Sequence, residues 1–151
     1  MGASLNNPYT RQTRQYKQAQ IETASPEEIL LLLYDGAIRF LVQAQKVLDK
    51  NDIATFNNNL IKTQSIIMEF MTSLDRDMGG EVADKLFSLY EYLHYRLVQA
   101  NIKKDATMVD EVLAHLRELK KTWEEAIRIA AREQAADTPA SDAAHTTIDA
   151  R

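Results

Sequence analysis
Apolar residues recur every three or four positions along most of this chain, which is the period of an amphipathic helix. Four such stripes can be read. Ile29, Leu33, Ala37, Phe40, Ala44, Val47 and Leu48 carry the first. Phe56, Leu60, Ile67, Phe70, Met71 and Leu74 carry the second. Val82, Leu86, Leu89, Tyr90, Leu93 and Leu97 carry the third, and Val109, Val112, Leu116, Leu119, Trp123, Ile127 and Ala130 the fourth. No segment sustains strand alternation. Ser25-Pro26-Glu27-Glu28 is a helix start: Ser25 caps, Pro26 suits the first helical position and Glu28 completes a capping box. The connections at Asn51-Asp52 and Lys103-Lys104-Asp105 are short, and Asp75 to Gly80 is the clearest loop. Short connections make sequential helices antiparallel. The pattern therefore predicts an all-α protein, an antiparallel up-down four-helix bundle over residues 25–132. A flexible N-terminal cap segment (residues 1–24) precedes it and a disordered tail (residues 133–151) follows, rich in Ala, Thr, Ser and Asp.

The helices hold more apolar positions than one core stripe uses. Leu31, Ile38 and Val42 cluster away from the stripe through Leu33 and Phe40. Ile61 and Met68 lie off the second stripe; Phe87 and Val98 lie off the third, with His94 between them. A helix that is apolar on two faces is normally covered on both. These seven residues are the candidate partner-binding set, lining grooves that accept an apolar partner helix. Two other covers fit the same pattern: the N-terminal segment, through Tyr9, Tyr16 and Ile21, or a second copy in a homodimer.

Composition narrows the classes. With 151 residues, 45% hydrophobic and 26% charged, the chain has the make-up of one folded domain. Its net charge of −4 argues against a protein built to grip phosphate backbones. The absence of Cys removes disulfides and thiolate chemistry. No run approaches the ~20 apolar residues of a membrane span, and the polar N-terminus is not a signal peptide, so a cytoplasmic protein is expected.

Candidate chemistry is sparse. Glu91 and His94 form one Glu-x-x-His, but di-iron bundles need two such motifs and two further inward carboxylates. No Ser-His-Asp grouping and no phosphate-binding glycine loop is evident. No metal, cofactor or catalytic residue is expected. Gly36, inside the first helix, costs ~1 kcal/mol relative to Ala; it suits either a close approach by a neighbour or a tolerated surface position.

Asn7-Pro8-Tyr9, then Tyr16, then Thr23-Ala24-Ser25-Pro26-Glu27-Glu28 ahead of Leu33-Tyr34-Asp35-Gly36-Ala37-Ile38, resemble the flagellar export chaperone FliS family. Leu89-Tyr90-Glu91-Tyr92, Leu97-Val98-Gln99-Ala100-Asn101, Leu116-Arg117-Glu118-Leu119 and Trp123 are similar to it as well, so the resemblance spans residues 6–132. It implies a bacterial cytosolic four-helix bundle without catalytic activity. Its client would be flagellin, whose disordered C-terminal segment wraps the bundle and is kept from premature polymerisation until export. It implies handover to the cytosolic domain of the flagellar export gate protein, part of the type III apparatus, and contacts with flagellar regulators. Neither nucleic acid nor membrane insertion is implied. An N-terminal segment would occupy part of the client site in the free protein, with Tyr9 and Tyr16 as its anchors. A homodimeric interaction module with a different client is the alternative.

Overall fold
The structure, a computed structural model, describes residues 8–149, with side chains described between 11 and 137 except at 17, 20 and 21. Five helices follow in order: α1 (Pro8–Thr23), α2 (Pro26–Asp49), α3 (Ile53–Ser73), α4 (Arg76–Lys103) and α5 (Ala106–Asp149). The last four are the four expected from the apolar stripes, and no strand occurs among the described residues.

The helix ends follow local chemistry. The Glu28 amide donates to Ser25 Oγ at 3.2 Å, and Pro26 opens α2 as the capping box predicts. Asp52 and Asp75 cap α3 and α4 by accepting from the amides of Thr55 and Met78. Asn51 (φ 61°) and Lys104 (φ 53°) turn the chain through the left-handed region at the two tight connections. The loop expected from Asp75 to Gly80 is one helical turn that Gly80 breaks, with φ 57° and ψ −133°. That conformation is open to glycine and costly for other residues. Just beyond the break Ala83 is buried, whereas Val82, placed in the core stripe by its spacing, is 69% exposed.

Two further differences lie at the ends. The segment expected to be a flexible cap is helical as α1, and all its described side chains are exposed. The tail expected to be disordered continues α5 to Asp149, and residues 133–137 are exposed along it. The disorder argument weighs buried apolar surface, but a helix needs only local hydrogen bonds, which alanines such as Ala135 and Ala136 favour intrinsically.

Helices α2 to α5 close a ring in which α2 packs on α3 and α5, and α4 packs on α3 and α5. The antiparallel register can be read from side-chain pairs. Lys120 bridges to Asp35 at 2.6 Å and Gln45 donates to Asp110, so Ile38 lies level with Arg117 and Val42 with Leu113. The Phe70–Tyr90 ring contact and the Lys104–Asn57 hydrogen bond set α3 against α4, so Ile61 lies level with Gln99, next to Val98, and Met68 with Tyr92. Across α4 and α5, Glu111 accepts from Arg96 and Tyr92. At the centre, Tyr34 stacks on Phe70 with centroids 4.4 Å apart, Phe70 tilts against Tyr90 at 5.3 Å, and the two tyrosine hydroxyls meet at 2.6 Å. Trp123 of α5 packs half-buried against this core.

Candidate partner-binding surface
The seven residues proposed from helical spacing divide between two seams of the ring. Ile61 and Met68 on α3 are 51% and 47% exposed. Phe87 and Val98, half-buried on α4, face the same α3–α4 seam from the other side. The geometry follows from the helical repeat. On α3, Asn57 reaches α4 through Lys104, while Lys62 covers Phe40 and Ile66 approaches Gly36 of α2. At ~100° per residue, Ile61 and Met68 fall on the α4 side of the outer surface. On α4, Tyr92 and Arg96 reach α5, which leaves Phe87, His94 and Val98 on the α3 side.

Two small hydroxyls beside this seam are turned onto their own helix. Ser65 donates to the Ile61 carbonyl at 3.2 Å and Thr72 to the Met68 carbonyl at 2.9 Å. Their hydroxyls are thereby satisfied, and the surface between Ile61 and Met68 behaves as more apolar than its sequence suggests. At the Gly80 end, the Arg76 guanidinium lies 4.3 Å from the centroid of the Phe87 ring and is held there by Asp84 at 3.1 Å. The seam therefore ends in a cation at one rim.

Leu31, Ile38 and Val42 behave differently, and here the sequence reading needs correction. Ile38 and Val42 are not on the far side of α2: they pack against the core cluster beside α5. The physical reason is that each helix of a closed four-helix ring touches two neighbours, so its apolar arc must be wide enough to serve both. Leu31, half-buried, lies in a cleft with Trp123 and Ile127 at the open end of the α2–α5 seam. Tyr16 is 72% exposed on α1; Tyr9 lies in the same helix, and its side chain falls outside the described residues.

Sequence spacing missed a second feature of the α2–α5 side. Ile29, Leu32, Leu33 and Ile38 floor a cleft of about 830 Å³, rimmed by Arg39, Arg117, Lys120 and Lys121. Ile29, placed in the core stripe, is 36% exposed there. The signal was present as cations at helical spacing on the fourth stripe, but their meeting with α2 depends on the interhelical register. The Lys120 ammonium is held charged above its usual range, first by its hydrogen bond to Asp35 and then by Glu124, and partial burial opposes this. The Glu91–His94 pair gathers no further ligand: among the described residues no cluster of three or more His, Asp or Glu could hold a metal. No described helix is long and apolar enough to cross a membrane.

The molecule is thus of the four-helix bundle class, with an exposed apolar seam between α3 and α4. Residues 9–130 match the family described as "Flagellar protein FliS". The chain is 37% identical over 125 residues to the flagellar secretion chaperone FliS of Bacillus subtilis (83% of this chain, 90% of that one). It is 35% identical over 115 residues to the flagellar secretion chaperone FliS of Salmonella typhimurium (73% and 85%). A solved structure of a bacterial flagellar chaperone shares the fold, with a TM-score of 0.64 at 20% identity, covering 80% of this chain and 98% of that one. The chain belongs to the FliS family of flagellar secretion chaperones.

Proposed function
We propose that this chaperone binds the disordered C-terminal segment of flagellin, keeps it from polymerising in the bacterial cytosol, and delivers it to the flagellar type III export apparatus. The observation that carries the reading is the convergence of Ile61, Met68, Phe87 and Val98 on one exposed seam. An apolar client segment that folds as a helix into this seam buries its sticky face at the cost of a few kcal/mol of ordering. Such binding is moderate in affinity, which allows release at the cytosolic domain of the export gate protein. Leu31, Ile38 and Val42, on the α2–α5 side, are left out of this contact surface. The segment before Ser25, with Tyr9 and Tyr16, competes for client surface in the free protein. Flagellar regulators are further partners. The chain acts by binding and not by catalysis.

Titration calorimetry with the C-terminal segment of flagellin from the same organism tests the reading. One-to-one binding with a negative heat-capacity change is expected, lost in Ile61→Asp and Met68→Asp while helical content is kept. A wild-type chain that ignores flagellin and sediments as a stable dimer overturns it in favour of a homodimeric module.

A further inference from the structure
The cleft between α2 and α5 lies across the ring from the α3–α4 seam, so the two are not adjacent surfaces. Its floor is apolar, with Ile29 and Leu32 reaching solvent. Its rim is cationic in a chain whose net charge is −4. Arg117 and Lys121 stand one helical turn apart on α5, and Arg39 faces them from α2. The two carboxylates at the cleft, Asp35 and Glu124, are both taken by Lys120, at 2.6 and 3.4 Å. Arg39, Arg117 and Lys121 are exposed and make no ion pair among the described residues. Lys120 neutralises the local acids and leaves the other three cations free to meet an incoming ligand.

From this arrangement we infer that the α2–α5 cleft is a second docking site, for an acidic amphipathic helix carried by a protein other than the client. The apolar stripe of such a helix covers Ile29 and Leu32, and carboxylates along its edges meet Arg117 and Lys121 on one side and Arg39 on the other. Apolar burial supplies the affinity, while the charges select an acidic over a basic partner and set its rate of arrival. Because the site lies opposite the α3–α4 seam, the chaperone holds client and second partner at once. The inference rests on the client reading only for that last statement; the cleft's own chemistry stands without it.

The test uses the full chain and two labelled synthetic helical peptides with the same leucine stripe, one flanked by glutamates and one by lysines. Fluorescence anisotropy is expected to show the glutamate peptide binding at least tenfold tighter than the lysine peptide, and weakening as salt is raised. Arg117→Glu with Lys121→Glu should weaken it about tenfold, and Met68→Asp should leave it unchanged. Adding saturating flagellin segment should not displace it. Equal binding of the two peptides, no binding, or insensitivity to the charge reversals overturns the acidic-helix site. Full displacement by flagellin shows instead that the cleft is part of the client's path. If phosphatidylglycerol vesicles bind the same rim and the glutamate peptide does not, the surface reads lipid charge and the proposal fails. Failure of flagellin itself to bind, with the peptide results intact, overturns the client reading alone.

Discussion

The Tyr34 and Tyr90 hydroxyls lie 2.6 Å apart in the core, one donating to the other across α2 and α4. Burial pushes Tyr34 well above the ordinary tyrosine range, with the nearby Tyr90 adding to the effect, and burial raises Tyr90 as well. Removing one hydroxyl leaves its buried partner with the Trp123 indole as its one remaining hydrogen-bond neighbour, whereas removing both leaves a phenylalanine pair of similar shape. Tyr34→Phe and Tyr90→Phe should each lose about 1–2 kcal/mol, and the double variant should lose less than their sum. Urea denaturation of the four proteins checks this. Additive losses would mean the hydroxyls do not act as a pair.

The same two hydroxyls set a pH dependence. With folded values raised above the unfolded value near 10, they keep their protons when the unfolded chain has lost them. Their contribution is complete below about pH 10 and falls as pH rises beyond it, by up to about 1.4 kcal/mol per pH unit for each tyrosine. Stability measured between pH 9 and 11 should drop less steeply in the double phenylalanine variant. Tyrosinate absorbance from Tyr34 and Tyr90 should appear only on unfolding.

Glycines at three positions should respond in opposite ways. Gly80 holds φ 57°, so Gly80→Ala should cost about 1–3 kcal/mol. At Gly79 an added Cβ would meet the Ala83 Cβ at 2.6 Å, so alanine there forces the kink to shift. A Cβ on Gly36 would sit 3.7 Å from Ile66 Cδ1, in ordinary contact. Gly36→Ala should therefore raise stability by about 0.5–1 kcal/mol through helical preference. Thermal melting of the three variants separates these outcomes; a destabilised Gly36→Ala would mean that α2 and α3 lie closer than the 3.7 Å gap allows.

The two groups of candidate residues should separate by stability. Val42→Asp puts a charge against the core cluster and should lower the melting temperature sharply. Met68→Asp, at a side chain 47% exposed, should leave it within a few degrees of wild type. Circular dichroism melts of both variants suffice, and an equally large loss at Met68 would place it in the core.

How far the sequence could be read depends on what each feature needs. The stripes through Ala37, Leu60, Leu93 and Leu116 are local patterns, and all four residues are fully buried as their spacing implies. The caps at Ser25 and Asp52 are equally local. Ile61, Met68, Phe87 and Val98 could each be read as lying off a core stripe, but their meeting on the α3–α4 seam depends on which helices are neighbours, which spacing does not give. The positions of Ile38 and Val42 were not legible either, because spacing gives the angle between two residues but not which neighbour each side faces. Arg39 and Lys121 come together only through the Asp35–Lys120 register, which no single helix encodes. Gly36 was readable either as a close approach or as a tolerated surface glycine; it is buried under Ile66 with room for a methyl group, a distance that depends on how far Ile66 extends from α3.

The ring of four helices also has a kinetic meaning. Three of its seams join helices that follow one another in the chain, so they form after short loop closures. Only the α2–α5 seam joins the two ends of the bundle, and it includes the Lys120–Asp35 bridge. That seam is the one expected to zip last, with substitutions along it speeding unfolding far more than they slow folding. The wall of the cationic cleft is thus the part of the bundle with the shortest lifetime.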